Sequence, residues 1–333
     1  MVLGQGDFPC TVLVLAKSRK ETMDIGAGSA GASRRDIMRL GLGAVISGFL
    51  PNTSVAVEKI RTRVIPSSGE ALPVVGLGTY GVFDVGESPS DRAPRKEVLA
   101  EFLGGGASLV DSSPMYNRAE AVSGDLAAEL RKTNQVFWAT KVWADGRDAG
   151  IAQMNQSLRY FRTDQIDLMQ VHNLRDWQVH MTTLRNWKER GKIRYIGVTH
   201  YRAEAFDELE KVIRRTDLDF VQLNYSMAER EAEQRLLPLC ADEGIATLIN
   251  RPFQRGSLFR KVENAQLPDW AGEFSANTWG QFFLKFILAN SAVTCVIPAT
   301  GKAEHMLDNL AAGFGELPDA AQRKAMNDYI SRL

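Results

Sequence analysis

The chain of 333 residues carries 40 Lys and Arg against 40 Asp and Glu, and 44% of its residues are hydrophobic. This balance is typical of a globular protein with a large core, and it argues against a basic nucleic-acid-binding protein or a charged interaction tail. Three cysteines lie far apart at Cys10, Cys240 and Cys295, so neither a disulfide framework nor a zinc site is indicated. We expect Cys240 and Cys295 to be buried as small apolar residues.

The first 56 residues have the composition of an export signal. Residues 33–39 (SRRDIMR) are basic, residues 40–50 carry no charge, and Pro51 separates them from the small residues 54–56. This order predicts an export signal, and its apolar run is too short to span a bilayer.

The pair Arg34 and Arg35 resembles the twin-arginine type of export signal. We therefore expect residues 1–56 to be a leader, residues 33–50 to engage the twin-arginine export machinery, and residues 57–333 to work in the periplasm. The alternative is an ordinary basic pair before a short helix, with the protein in the cytoplasm or tethered to the membrane by an uncleaved signal.

A glycine-rich segment, VVGLGTYGVF at 74–83, has the G-x-G-x-x-G spacing of a dinucleotide-binding turn. That motif requires a helix that begins at its third glycine, because the helix N-terminus binds the pyrophosphate. Residues 82–94 contain Pro89 and Pro94 and show no helical period, so we expect no helix there. The segment therefore does not indicate a Rossmann domain.

From about residue 60 onward, short apolar runs alternate with amphipathic stretches. The clearest helical patterns cover residues 96–103, 119–131 and 203–215, with apolar residues three and four apart. Such alternation predicts a parallel sheet, and the length suits a single-domain (β/α)8 TIM barrel. A doubly wound open sheet is the alternative, although no second domain is visible to close its site. The eight predicted strands cover residues 74–80, 108–113, 136–142, 166–172, 195–200, 220–225, 245–250 and 293–299.

Two segments fall outside this alternation. Residues 61–73 are predicted to form a hairpin that covers the floor of the barrel. Residues 251–278 form a long connection without a predicted helix, which is typical of a lid or a binding loop.

Four ionisable side chains stand at or just after the ends of three consecutive predicted strands: Asp111, Tyr116, Lys141 and His172. Active sites of TIM barrels lie at these carboxyl ends. Lys141 directly follows an apolar run, so its ammonium needs a buried partner, and Asp111 is the expected one. Each residue alone is compatible with an ordinary structural role, but the four together favour a catalytic cluster.

This cluster suits chemistry at a carbonyl group. A tyrosine hydroxyl has a pKa near 10, and the ammonium of Lys141 is expected to lower the pKa of Tyr116 and make it a better acid. His172 is expected to donate a hydrogen bond to a carbonyl oxygen as negative charge develops there. The set therefore predicts protonation of a carbonyl oxygen while another group adds to the carbon.

Seven segments, taken together and in order, resemble the aldo/keto reductases over roughly residues 64–315. The resemblance implies a (β/α)8 barrel that binds a nicotinamide cofactor without a Rossmann domain. It also implies that Asp111, Tyr116, Lys141 and His172 form a tetrad that reduces a small-molecule carbonyl substrate, an aldehyde or ketone, to an alcohol, with the proton from Tyr116. The segments are GLGTY, LVDSSPMY, ATKV, LMQVHN, IGVTHY, FVQLNYS and IPATGKAEHMLDNL.

The same resemblance implies a set of cofactor contacts. Asn250 stands where the family often has an aromatic residue, and His200 replaces a usual asparagine. Ala299 and His305 replace the basic residues that bind the 2′-phosphate, with Lys302 as the expected substitute. NADP(H) is the expected cofactor and NAD(H) the alternative. The expected contacts are Thr79, Tyr80, Thr199, His200, Gln222, Asn250, Arg251, Thr300, Lys302, Asp308 and Asn309.

Trp143 and Trp177 follow members of the tetrad and are expected to line the substrate pocket, unless they are partly exposed packing residues. Two other functions stay open, namely a nucleotide-binding sensing module without turnover and a lyase that forms a Schiff base on Lys141. The expected pairing with Asp111 argues against the lyase, because it keeps the amine protonated. We expect a monomer or weak oligomer, and no metal site, since the four histidines lack ligand spacing.

Overall fold

Eight parallel strands form a closed ring in the computed structural model, which describes residues 59–333. The predicted leader, its arginine pair and Cys10 lie outside the described residues. The strands in chain order are β1 (Thr62–Val64), β2 (Ala71–Pro73), β3 (Leu77–Gly78), β4 (Leu109–Asp111), β5 (Phe137–Val142), β6 (Ile166–His172), β7 (Ile193–His200), β8 (Phe220–Asn224), β9 (Ala246–Asn250) and β10 (Cys295–Val296). Strands β3 to β10 pair in sequence order, and parallel bridges from Val75 to Val296 and from Gly78 to Ala299 close the ring.

Helices follow every strand of the ring and cover its outside. They are α1 (Pro89–Gly104), α2 (Ala119–Glu129), α3 (Arg147–Phe161), α4 (Trp177–Glu189), α5 (Phe206–Ile213), α6 (Leu236–Asp242), α7 (Ser257–Lys261), α8 (Trp279–Leu288), α9 (Ala303–Ala311) and α10 (Ala320–Arg332). The predicted (β/α)8 barrel is thus confirmed, and the closed ring excludes the open doubly wound sheet. Within residues 59–333, no helix is long and apolar enough to cross a membrane.

Helix α1 begins earlier than the sequence predicted, because the two prolines near its start do not prevent it. The hydroxyl of Ser88 caps the helix by accepting a hydrogen bond from the Asp91 amide at 3.1 Å. Pro89 occupies the first turn, where a missing N–H costs nothing, and Pro94 lies one turn further on. The expectation that residues 89–94 are not helical was therefore wrong, although no helix begins at Gly81 as a Rossmann turn would require.

The first two glycines of the G-x-G-x-x-G segment serve the closure of the barrel. A Cβ atom on Gly76 would lie 2.9 Å from the carbonyl oxygen of Leu109. A Cβ on Gly78 would lie 2.8 Å from the carbonyl oxygen of Ile297. Only glycine permits these close approaches between backbones.

The predicted hairpin is confirmed, and it closes the amino end of the barrel. Strands β1 and β2 pair antiparallel, with Arg63 opposite Leu72. Ile65 and Leu72 belong to the buried cluster inside the ring. They pack there with residues at the beginnings of the strands, such as Phe137 and Phe220. A second, larger core lies between the ring and the helices.

The connection over residues 251–278 has more regular structure than the sequence predicted. It contains α7 and two 3-10 segments, at Gln254–Gly256 and Asp269–Phe274. Buried Leu258 and Phe274 attach these short helices to the core, which a pattern of isolated apolar residues does not reveal. Cys240 and Cys295 are buried free thiols, as predicted.

Candidate active site

The barrel brings the four predicted residues together at its carboxyl end. Asp111 and His172 are the last residues of β4 and β6, and Lys141 is the penultimate residue of β5 between them. Asp111 pairs with Ala139, two residues before Lys141, and Lys141 pairs with Gln170, two residues before His172. Because an offset of two residues keeps the same face of the sheet, the three side chains lie on one face at the same end of the barrel. Tyr116 joins them from the loop between β4 and α2.

A buried ion pair forms the base of the site. The Lys141 Nζ lies 2.9 and 2.8 Å from the two carboxylate oxygens of Asp111, and it donates a third hydrogen bond to the Ser112 carbonyl at 2.6 Å. Gln222 Nε2 donates to Asp111 Oδ1 at 2.8 Å. Burial opposes the charge on Lys141, but Asp111 and Tyr116 outweigh it and raise the pKa of the lysine. Lys141 is therefore a cation, and a Schiff-base nucleophile is disfavoured.

Tyr116 lies above this ion pair, with the Lys141 Nζ 5.2 Å from its ring centroid. Burial raises the pKa of Tyr116 more than the charge of Lys141 lowers it, so the net shift is upward. The prediction of a lowered tyrosine pKa was wrong in its net direction, because the depth at which the hydroxyl is buried depends on the folded structure. The residue is consequently a neutral phenol at neutral pH.

His172 borders the same cavity and is neutral. Burial, with Lys141 and His200, lowers the pKa of its imidazole to about 3. Its ring lies edge-on to Tyr116, with the ring centroids 6.1 Å apart. A neutral imidazole in this place can donate a hydrogen bond but adds no charge to the site.

The cavity above these residues has a volume of about 860 Å³, which is large enough for a small substrate beside part of a cofactor. Asp111, Tyr116 and His172 line it, and Lys141 is buried directly beneath. Its other walls come from the ends of β3, β7, β8 and β9 and from residues 251–259. Among residues 59–333, no group of three or more His, Cys, Asp and Glu side chains is arranged to hold a metal.

Six of the cofactor residues expected from the resemblance line this cavity: Thr79, Tyr80, Thr199, Gln222, Asn250 and Arg251. Gln222 is held on both sides, because its Oε1 accepts a hydrogen bond from Thr199 at 3.0 Å while its Nε2 binds Asp111. The guanidinium of Arg251 lies 4.3 Å from the ring centroid of Tyr201. One side of the cavity is therefore polar and cationic.

The other five expected cofactor residues lie outside the cavity lining: His200, Thr300, Lys302, Asp308 and Asn309. His200 accepts a hydrogen bond from the Arg202 amide at 3.2 Å. Asp308 accepts hydrogen bonds from Thr278 and Gln281, and Lys302 is exposed with its Nζ 3.8 Å from Glu304. Each of these contacts is also compatible with a structural role.

Only one of the two tryptophans, Trp143 and Trp177, lines the cavity. Trp143 lines the cavity, and the guanidinium of Arg175 lies 4.0 Å from its ring centroid. Trp177 begins α4 and packs partly buried against the outer core, away from the cavity lining. A position after a strand end therefore does not by itself bring a side chain into the site.

Several cavity residues were not identified from the sequence. Asn173, directly after His172, has a positive φ of 53° and a buried side-chain oxygen. Met115, Tyr201, Phe253, Arg255 and Phe259 also line the cavity. The available signal was the long connection over residues 251–278, which was expected to bind or cover a ligand and which supplies three of these side chains.

A (β/α)8 barrel with a buried Lys–Asp pair, a tyrosine and a neutral histidine in one cavity defines an enzyme of the carbonyl-reducing class. The sequence profile of the aldo/keto reductase family matches residues 74–324. The chain belongs to this family, a family of NAD(P)-dependent oxidoreductases.

Similar proteins agree with this membership. The aldo-keto reductase YhdN of Bacillus subtilis is 30% identical over 213 residues, which cover 60% of this chain and 63% of the relative. Methylglyoxal reductase YeaE of Escherichia coli is 27% identical over 270 residues, covering 78% of this chain and 93% of the relative. A solved aldo-keto reductase from Klebsiella pneumoniae in complex with NADPH aligns with a TM-score of 0.66 at 25% identity, covering 82% of this chain and 95% of that one.

Proposed function

We propose that the protein reduces an aldehyde or ketone to an alcohol with a reduced nicotinamide cofactor. The observation that carries the proposal is the arrangement of Asp111, Tyr116 and His172 around one cavity, with Lys141 buried beneath Tyr116. A relative that reduces methylglyoxal supports a small carbonyl substrate.

Each side chain has a distinct part in this chemistry. His172 donates a hydrogen bond to the carbonyl oxygen and polarises it. As hydride adds to the carbon, the π electrons move to the oxygen, and the Tyr116 hydroxyl gives its proton to that oxygen. The resulting tyrosinate faces the Lys141 cation, which Asp111 holds in place through two hydrogen bonds.

The cavity residues fit a nicotinamide cofactor, which when bound supplies the hydride. Asn173 and Asn250 each have a buried side-chain oxygen that no donor within residues 59–333 contacts, and both residues line the cavity. Such acceptors suit the N–H groups of a carboxamide or the hydroxyl groups of a sugar. Arg251 and Arg255 also line the cavity, and guanidinium groups suit pyrophosphate oxygens.

The test uses the purified full chain with an activated aromatic aldehyde and either NADPH or NADH, and it follows loss of the reduced-cofactor absorbance. We expect turnover, and we expect Tyr116→Phe to reduce kcat by about a hundredfold or more, since it removes the proton donor. Tyr160→Phe changes an exposed tyrosine on α3 in the same way and serves as the matched control. Cofactor binding without turnover would instead favour the sensing module.

We propose NADP(H) as the cofactor, with Lys302 as the residue that recognises the 2′-phosphate. The NADPH complex of the Klebsiella pneumoniae protein supports this choice, whereas Ala299 and His305 leave NAD(H) as the alternative. Lys302→Met should raise the KM for NADPH and leave the KM for NADH unchanged. Lys324→Met changes an exposed lysine on α10 and is the control.

We also propose that residues 1–56 are a twin-arginine leader and that residues 57–333 act in the periplasm. The support is the order of basic, apolar and small residues over residues 33–56. Replacing Arg34 and Arg35 with lysine should retain the protein in the cytoplasmic fraction, whereas Arg39→Lys should not. Unchanged export of the double variant would contradict the proposal.

A further inference from the structure

The hydroxyl of Ser113 contacts the ring of His172 at the carboxyl end of the barrel. Ser113 Oγ lies 3.1 Å from His172 Nδ1, across 59 residues of chain. Ser113 is fully buried, and His172 is 8% exposed. The contact is therefore shielded from water, and the direction of the proton within it matters.

The neighbours of Ser113 decide that direction. The backbone amide of Met115 donates a hydrogen bond to Ser113 Oγ at 3.2 Å, so one acceptor position of the hydroxyl is occupied by a group that can only donate. If His172 Nδ1 also carried a proton, Ser113 Oγ would accept twice. Its own buried proton would then have no acceptor, which is costly.

The alternative direction satisfies every group. The Ser113 hydroxyl accepts from Met115 and donates to the lone pair of His172 Nδ1. We propose that Ser113 is a positioning residue that holds His172 in the tautomer with its proton on Nε2. That N–H is then free to donate to a carbonyl oxygen in the cavity that His172 lines. The use of this N–H rests on the proposed carbonyl reduction, but the tautomer itself does not.

His172 can adopt either tautomer because its imidazole ring is neutral. His172 is neutral because burial, Lys141 and His200 lower the pKa of its imidazole to about 3. A neutral imidazole has one N–H, and the hydrogen bond made at one ring nitrogen selects which nitrogen carries it. Among the described residues, Ser113 makes the hydrogen bond to a ring nitrogen of His172, so it sets the balance between the tautomers.

Ser112 provides a matched control within the same loop. It is as fully buried as Ser113, but its Oγ accepts a hydrogen bond from Thr79 at 2.9 Å instead of contacting His172. Ser112→Ala and Ser113→Ala therefore remove the same atoms from neighbouring buried positions. Only the second change removes the partner of His172 Nδ1.

The experiment is nuclear magnetic resonance of the full chain labelled with ¹⁵N-histidine, at neutral pH and without cofactor or substrate. His172→Gln assigns the His172 signals among the four histidines. We expect His172 in the Nε2–H form in the wild type and in Ser112→Ala. In Ser113→Ala we expect a mixture of both tautomers, and in Ser113→Thr, which keeps the hydroxyl, we expect recovery of the Nε2–H form.

Catalysis gives an independent readout. Loss of one ordinary hydrogen bond should lower kcat of Ser113→Ala between about twofold and tenfold, with less change in KM, because the bond to the substrate oxygen strengthens as charge develops. Ser113→Thr should recover most of the kcat.

Two results would overturn the inference: an Nδ1–H tautomer in the wild type, or an unchanged His172 spectrum in Ser113→Ala. The wild-type spectrum can overturn the inference even if the alanine variant fails to fold. A protein that does not reduce the aldehyde, but shows the Nε2–H form in the wild type and a mixture of tautomers in Ser113→Ala, would contradict the proposed function and support the role of Ser113.

Discussion

The two ends of the barrel each hold a cluster of charges, and the clusters differ in what surrounds them. At the amino end, Arg194 pairs with Glu70 and with Asp167, and it packs over the ring of Tyr195. At the carboxyl end, Lys141 pairs with Asp111, with a neutral histidine and a neutral tyrosine beside it.

The difference in surroundings distinguishes a charge cluster that stabilises the fold, at the amino end, from one that takes part in chemistry, at the carboxyl end. Arg194 is about one third exposed and joins the hairpin to the strands, so its charges mainly hold elements together. Lys141 is fully buried beneath a cavity, where a charge is costly and acts strongly on its neighbours. The barrel architecture alone does not distinguish the two charge clusters, but the cavity at the carboxyl end does.

The largest predicted effect follows from removing the buried lysine. Lys141→Met leaves the Asp111 carboxylate buried without its cation, and we expect a loss of about 3–5 kcal/mol in the free energy of unfolding, together with loss of turnover. The double variant Lys141→Met/Asp111→Asn removes both charges and should recover most of the stability. It should not recover activity. Denaturant unfolding and cofactor oxidation measure the two effects, and recovery of both would contradict a catalytic role for the pair.

The second predicted effect is a pH dependence of the free energy of unfolding, which arises from His172 at the carboxyl end of the barrel. The folded protein keeps His172 neutral down to about pH 3, whereas the unfolded chain takes up a proton near pH 6.5. Between these values the unfolded state binds more protons, so stability falls as pH falls, by at most about 1.4 kcal/mol per pH unit.

His172→Gln should flatten this part of the stability curve, because glutamine does not titrate. The measurement is the free energy of unfolding of both proteins at several pH values below 6.5. His305→Gln changes an exposed histidine and should leave the slope unchanged. Equal slopes for the wild type and His172→Gln would show that the imidazole is not held neutral.

The smallest predicted effect is on the free energy of unfolding, and it follows from removing Arg194 at the amino end of the barrel. Arg194→Met removes two partly exposed ion pairs, each of modest strength, and we expect a loss of about 1 kcal/mol in the free energy of unfolding. Turnover should be unchanged, since Arg194 lies at the end of the barrel opposite the cavity. A large fall in kcat with little change in stability would remove the distinction between the two ends.

Features encoded within a few residues were predictable from the sequence. The strand ends placed Asp111, Lys141 and His172 on one side of the barrel, and the burial of Lys141 required a partner of opposite charge. The closed ring followed from the alternation of short apolar runs and helices, and the hairpin was predicted for the short segment that precedes the first strand of the ring. These predictions combine local sequence patterns with one rule of topology, namely that alternating strands and helices form a parallel barrel whose strands all end on the same side.

Features that depend on contacts distant in sequence were not predictable. The net pKa shift of Tyr116 depends on how deeply the fold buries its hydroxyl. The contact of Ser113 with His172 joins the loop after β4 to the end of β6, and the position of Trp177 depends on how α4 packs. The start of α1 is a partial exception, since Ser88 followed by Pro89 is a helix-start signal that the two prolines obscured.

The most direct test of carbonyl reduction follows the transferred atom itself. Reduced cofactor carrying deuterium at the transferable position is mixed with the full chain and an aromatic aldehyde, and the alcohol is analysed by mass spectrometry. We expect an alcohol that carries the deuterium at its carbinol carbon, and little or no product from Tyr116→Phe. An alcohol without deuterium, or reduction that persists in Tyr116→Phe, would contradict it.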